Sequence, residues 1–340
     1  MRAIVYTETG GPDVLKLVER PEPDPGPGEV LVRVAVSGVN PTDWKSRTGS
    51  GPGQPPAFPE VTPNQDGAGT VVAVGPGVDE GRVGQRVWLW EAAWRRAGGT
   101  AQELLSIPEP QAVALPDAAS FDLGASIGIP ALTAHRCLTL GVEGPRVLEP
   151  GSLAGGTVLV AGGAGAVGHA TIELAVWCGA TVITTVSSPE KAALATSAGA
   201  HHVVNYRSGD VIEAVRAIAP DGVDVIAEVA PVANAELNAA VVAMNGVVAI
   251  YAATGEPLAI DVGRAMGANT RYQFVLVYTV PAAAKQQAVT DVEAAVAAGA
   301  LRVGTEAGLP VHRYPLDQTA DAHAAVEGNA VGKVLIDVTS

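Results

Sequence analysis

The residues whose spacing most clearly implies chemistry are Gly163, Gly165 and Gly168, in the run TVLVAGGAGAVGHATIELA from Thr157 to Ala175. They fall in G-x-G-x-x-G spacing after a strand-like segment and before a helix-like one. In that context the first glycine allows a tight turn, the second lets backbone N–H groups approach a pyrophosphate, and the third lets helix pack on strand. The helix start then offers unpaired N–H donors and the positive end of its dipole to an anion. With 40 glycines in the chain the spacing alone recurs by chance, so the flanking strand and helix carry the dinucleotide-binding reading.

About twenty residues later a site for NAD places Asp or Glu on the ribose 2′-hydroxyl. This chain has Val186, Ser187, Ser188, Pro189, Glu190 and Lys191 there. Ser188 followed by Pro189 suits a helix N-cap and first-turn pair. Lys191 opposes the dipole of that helix unless an anion lies nearby, and the 2′-phosphate of NADPH is such an anion. Glu190 would serve an NAD site instead if the register is off by two or three residues.

Other chemistries lack their residues. Zinc needs three or four clustered Cys, His or carboxylate ligands, whereas the histidines are scattered at 135, 169, 201, 202, 312 and 323 and the only cysteines are Cys137 and Cys178. No tyrosine has a lysine four residues on, which excludes a short-chain reductase motif. GNAVGKV (Gly328 to Val334) is one residue short of a nucleotide P-loop and no Ser or Thr follows Lys333.

The elements that position these residues fall into two textures. The first 120 or so residues read as short strands, Val30–Val36, Thr70–Val74 and Arg82–Trp90, punctuated by the proline-rich loops Arg20–Gly28 and Gly49–Pro59. The second loop lies near Asn40, Asp43 and Lys45 and is either a pocket wall or a plain connection. From about Ile127 strands alternate with helices, the pattern of a parallel sheet. The strands are Thr157–Ala161, Thr181–Val186, His202–Val204, Val223–Val229 and Gly246–Tyr251, with Arg271–Tyr278 as an edge. Helices at Val167–Cys178 and Pro189–Ala198 end at Gly179 and Gly199, where a left-handed cap is needed. The tail returns to short strands and ends in KVLIDV. The fold class is therefore α/β: a β-rich domain of residues 1–124 and 266–340 enclosing a doubly wound parallel-sheet domain of residues 125–265.

The composition narrows the partners. Hydrophobic residues are 48% and charged residues 16%, far from the signature of disorder. The net charge of −14 disfavours nucleic acid and anionic lipid. Residues Gly151 to Ile172 carry no Asp, Glu, Lys or Arg over 22 positions, but seven are glycine, so a strand, turn and helix explain the run better than a membrane span. Two cysteines and no export signal in MRAIVYTETGG suit a reducing, cytoplasmic setting.

Taken in order, PGPGEVLVRVAVSGVNPTDWKSRTG, NQDGAGTVVAVGPGV, GRVGQRVW, IGIPALTAHRCL, VAGGAGAVG, SSPEKAALATSAGAHHVVNYR and GKVLIDV make a combination spread over the whole chain. It resembles the zinc-independent, zeta-crystallin-like quinone oxidoreductases of the medium-chain dehydrogenase/reductase superfamily. The resemblance implies a GroES-like catalytic domain with an inserted Rossmann domain, and NADPH as cofactor. Gly163, Gly165, Ala166, Val167 and Gly168 would hold the pyrophosphate, and Lys191 and Tyr206, with Ser187 beside them, the adenosine 2′-phosphate. Thr133 would meet the nicotinamide end, with Val275 and Val277 along the nicotinamide. Zinc-dependent relatives have a cysteine and a histidine where this chain has Asn40 and Gln65. Many family members have Asp-Thr-Tyr where it has Asp43, Trp44 and Lys45, and the family's Pro-Gly-x-Asp turn reads Pro63, Asn64, Gln65, Asp66, asparagine being tolerant of positive φ. An extra stretch, about Gly141 to Ser152, has no assigned role.

The implied reaction is hydride transfer from NADPH to a small electrophile, a quinone, whose reduction to an aromatic product makes little demand for a dedicated acid. Asn40 would face the substrate as a neutral donor and Lys45 would stabilise the developing anion, or else Lys45 is an exposed lysine beside a loop. The resemblance also implies a homodimer joined through the Rossmann edge strand, Tyr272 to Tyr278. Two alternatives stand beside this reading: an NADPH-dependent reductase of activated alkenes such as enones or enoyl thioesters, and a non-catalytic NADPH-binding protein.

Overall fold

The computed structural model describes residues 1–253 and 255–339. In chain order its strands and helices are β1 (Arg2–Val5), β2 (Lys16–Glu19), β3 (Glu29–Val39), α1 (Pro41–Thr48), β4 (Asp66–Val74), β5 (Arg86–Leu89), β6 (Leu104–Pro108), β7 (Ala112–Ala114) and α2 (Phe121–Leu138). There follow β8 (Thr157–Ala161), α3 (Ala166–Trp177), β9 (Thr181–Val186), α4 (Pro189–Ser197), β10 (His202–Asn205), α5 (Val211–Ile218), β11 (Val223–Glu228), α6 (Ala235–Val241), β12 (Val242–Ile250), α7 (Val262–Gly267), β13 (Arg271–Phe274) and α8 (Ala282–Ala297). The chain closes with β14 (Val311–Pro315), α9 (Thr319–Glu327) and β15 (Lys333–Asp337). They divide into two units, Met1–Ile129 with Val311–Ser340, and Pro130–Pro310.

The first unit is GroES-like and β-rich. Its main sheet runs β14-β15-β3-β4-β5-β7, with β6 also paired to β3. Pairing is antiparallel except between β14 and β15. β3 pairs β4 along one edge and β6 and β15 along the other, and its register against β4 shifts twice, at Leu31/Val32 and Val34/Val36, each shift adding a local bend. The inward residues Val30, Val32, Val34, Val71, Leu89 and Ile107 pack with Val334 and Ile336 from the far end of the chain. Because Val334 sits opposite Val39, residue 333 is delivered beside residue 40.

The second unit is a Rossmann sheet, all parallel, in the order β10-β9-β8-β11-β12-β13. Counted from β8 this is 3-2-1-4-5-6, and the order reverses between β8 and β11, where such sheets bind ligands outside the carboxyl ends of their strands. The long uncharged run is explained here: residues Gly168 to Ala175 of α3 are all buried, so its apolar character belongs to the core. No helix among the described residues is long and apolar enough to cross a membrane. Gly179 and Gly199 end α3 and α4 at φ of 86° and 103°.

The second unit runs past the edge expected at residue 265. β13 continues the parallel sheet beside β12 and α8 follows it, so residues 266–310 fall in this unit. The stretch 141–152 also acquires a role. The Leu148 N–H donates to Asp291 Oδ2 at 2.7 Å, and that buried carboxylate is held by His135 Nε2 at 2.7 Å and by the Gln287 amide at 2.7 Å. The hydrogen bonds hold Asp291 below the usual carboxylate range against its desolvation by burial. Thus the stretch is pinned to α2 and α8 through one buried acid.

Candidate functional site

In the second unit the glycine turn joins β8 to α3, and the structure divides its labour differently from the motif. The positive φ of the turn, 72°, belongs to Gly162, not Gly163. Gly163 is required for packing: a Cβ there would lie 2.2 Å from Thr184 Oγ1 of β9. Gly168 is likewise a packing glycine, its Cβ falling 2.4 Å from the Gly162 carbonyl. Gly165 differs. It is exposed, its φ is −86°, and a Cβ would meet nothing nearer than the Gly162 carbonyl at 3.5 Å. Neither strain nor protein packing requires glycine at 165, so the open space it leaves at the start of α3, above Ala166 and Val167, suits an approaching ligand.

The next strand ends as a phosphate site would need. After Val186 the chain passes Ser187 and enters α4, whose N-cap Ser188 accepts the Lys191 N–H at 3.3 Å. The Tyr206 N–H donates to the Val186 carbonyl at 3.1 Å, which brings the half-exposed Tyr206 to the same strand end as Ser187 and the half-buried Lys191. Glu190 is exposed in the first turn of α4, four residues beyond the strand end. A hydrogen bond with Ser188 keeps its carboxyl below the ordinary value. The register that would put Glu190 at the strand end is therefore not the one observed. Val275 and Val277 are buried just after β13, with the Val275 N–H bonded to the Ile250 carbonyl at the end of β12, and Thr133 is buried in α2.

In the first unit the polar residues gather around the start of α1. Asn40 caps this helix, and its backbone N–H donates to Asp43 Oδ2 at 2.7 Å. Its side-chain amide donates to Asp66 Oδ2 at 2.7 Å and accepts from Lys333 Nζ at 2.8 Å, while Lys333 reaches Asp66 at 3.4 Å. Asn40, Asp43, Asp66 and Lys333 are all at most 3% exposed. Burial pushes Asp66 up and Lys333 down, and their attraction for each other opposes both shifts. Burial also raises Asp43 to about 8, only partly offset by the Asn40 N–H and reinforced by the nearby Asp66.

Beside this cluster lies a cavity of about 340 Å³ lined by Tyr6, Asp43, Phe58, Gln65 and Trp94, with Arg95 and Arg96. The proline-rich segment from Gly49 onward forms one wall through Pro55, Pro56 and Phe58, which resolves its reading in favour of a pocket wall. Asn64 forms another at φ 79°, held by donation to Ser37 at 2.9 Å and by His323 at 2.8 Å. The Asn40 amide is engaged with Asp66 and Lys333 in the interior. Lys45 sits on the exposed side of α1 with its ammonium 5.7 Å from the Trp44 ring. Sequence reading missed Lys333 and Asp66, whose partners lie hundreds of residues away or on another strand; the signal available was a lysine opening an otherwise apolar final strand.

The donor set does not fit zinc. Both cysteines are buried, and burial pushes their thiols up, to about 12 at Cys137 and about 11 at Cys178. Among the described residues no group of three or more His, Cys, Asp or Glu could hold a metal ion.

Residues 26–117 match the alcohol dehydrogenase GroES-like domain family and residues 166–303 the zinc-binding dehydrogenase family. The chain is 33% identical to a quinone oxidoreductase of Rattus norvegicus, over 99% of this chain and 97% of that protein. Among solved structures, a mycobacterial protein complexed with NADPH aligns with TM-score 0.80 at 31% identity, over 99% of each chain. An Escherichia coli quinone oxidoreductase complexed with NADPH aligns with TM-score 0.80 at 26% identity, over 99% of this chain and 100% of that one.

Proposed function

Because the chain belongs to the zeta-crystallin-like quinone oxidoreductases of the medium-chain dehydrogenase/reductase superfamily, we propose that it is an NADPH-dependent, zinc-independent reductase of quinones. The observation that carries the cofactor half is Gly165, a glycine that neither fold nor backbone demands, at the start of α3 and at the topological switch of the sheet. The quinone half rests on the likeness to the rat quinone oxidoreductase.

When bound, NADPH supplies the hydride from its nicotinamide ring. The chain's own residues bind and orient. The backbone from Gly163 to Gly168, with Gly165, Ala166 and Val167 at the start of α3, holds the pyrophosphate. Lys191 holds the 2′-phosphate, with Ser187 and Tyr206 alongside. Val275, Val277 and Thr133, all buried, give the nicotinamide an apolar, water-excluding seat. Asn40 acts as a positioning residue, fixing Asp43 from its backbone and Asp66 and Lys333 from its side chain.

Acceptor-dependent NADPH oxidation tests the reading. Quinones, ortho and para, should turn over faster than enones or aldehydes; preference for enones would favour the alkene reductase, and tight NADPH binding with no acceptor would favour a binding protein. We also propose a homodimer through the free edge of β13, where Phe274 and Leu276 are 64% and 51% exposed. Sedimentation of a monomer at micromolar concentration would contradict it.

A further inference from the structure

We propose that Asp43, in its acid form, donates the hydrogen bond that seats a carbonyl oxygen of the acceptor in the first unit's cavity. The proposal rests on the quinone reading for the acceptor's class but locates a group that reading does not require. Three observations carry it. Asp43 lines the cavity yet is 3% exposed. Its Oδ2 accepts the Asn40 N–H, whereas Oδ1, equally buried, has no partner in good hydrogen-bond geometry, the Gln65 N–H being the other donor that faces the carboxyl. A buried polar atom left unpaired is costly, so an atom so placed at a cavity wall is one a ligand can satisfy. The rest of the wall suits a flat carbonyl compound: Tyr6, Phe58 and Trp94 offer aromatic surface, and Gln65 is already engaged through its oxygen by the Ala93 N–H at 3.1 Å.

An ionised Asp43 has no proton to donate and would repel a carbonyl oxygen, so the protonation state decides. Burial is the largest influence and favours the acid, which is therefore present below about 8. The charged and titratable groups that face it are Asp66 from β4, which favours the acid, Lys333 from β15, which opposes it, and Tyr6 just after β1, while the Asn40 and Gln65 N–H donors also oppose the acid. Arg47 lies on its own helix, with Nη2 paired to Glu327, and Arg95 and Arg96 line the cavity opposite. Tyr6, raised to about 12 by burial and by Asp43, stays neutral through this range.

The test is equilibrium binding of tetramethyl-p-benzoquinone to the cofactor-free protein between about pH 6 and about pH 10. The wild-type dissociation constant should rise about tenfold as pH passes through about 8. Asp43→Asn keeps an oxygen for the Asn40 N–H and presents a permanent N–H donor, so its binding should be independent of pH. Asp43→Leu should bind about tenfold more weakly than wild type at the acid end. If Asp43→Asn keeps the wild-type limb, or the wild type shows no limb or no binding, the proposal fails. Should the leucine variant not fold, the asparagine comparison decides alone. Quinone turnover is measured separately: its absence would sink the quinone reading while leaving a limb abolished by Asp43→Asn in support of the carbonyl donor.

Discussion

At the scale of single residues, the proposed preference for NADPH turns on Lys191. No carboxylate stands where β9 ends; Ser187 does, and Lys191 follows in the first turn of α4 with Tyr206 close by. A charge-assisted bond to a phosphate is worth about 1.5–3 kcal/mol, toward the low end for a half-exposed lysine. Lys191→Ala should therefore lower the ratio of NADPH to NADH efficiency about tenfold, mostly through KM for NADPH, with NADH kinetics little changed. An unchanged ratio would show that Lys191 does not contact the 2′-phosphate. The signal behind this proposal was legible in the sequence because it is local, a cation against a helix dipole. The cluster of Asn40, Asp66 and Lys333 was not: its members are separated by 26 and 293 positions and meet only because β15 pairs with the end of β3. The same pairing sets the Lys333 ammonium against the Asn40 side chain.

At the scale of elements, the turn between β8 and α3 separates what glycine does for folding from what it does for a ligand. Gly163 and Gly168 face Thr184 and the Gly162 carbonyl at distances no Cβ tolerates, whereas Gly165 faces open space. Gly165→Ala should keep the thermal midpoint within a few degrees, since ΔΔG of about 0.5 kcal/mol or less is usual for surface changes, yet weaken NADPH binding about tenfold or more. Gly163→Ala should instead destabilise the fold by about 1–3 kcal/mol through overpacking against β9. Differential scanning calorimetry paired with NADPH titration reads both. Equal loss of stability in the two variants would mean that Gly165 is a packing glycine after all. The alternation of apolar strands and helices made the parallel sheet readable from residue 157 onward, and even the caps at Gly179 and Gly199 followed from local chemistry. The role of residues 141–152 was hidden, because their anchor, Asp291, comes from α8 far along the chain.

At the scale of the whole molecule, the β-rich and Rossmann units are each built around their own core, and the chain passes from the first to the second and back. The uncharged stretch that has the length of a membrane span is a Rossmann strand and helix. The net charge of −14 leaves the protein repelling the anionic cofactor proposed for it, so binding depends on a few local donors: the open N-terminus of α3 and Lys191. Nor does the donor set supply the zinc that the matched dehydrogenase family is named for, since among the described residues no group of three or more His, Cys, Asp or Glu could hold a metal ion and Asn40 and Gln65 hold neutral amides. The proposal of a zinc-independent NADPH reductase of quinones is checked by quinone-dependent NADPH oxidation after exhaustive treatment with a metal chelator. It predicts undiminished turnover, with one hydroquinone formed per NADPH consumed and NADH a poorer donor by about tenfold. Activity that disappears with the metal and returns with zinc, or no quinone turnover at all, would contradict it.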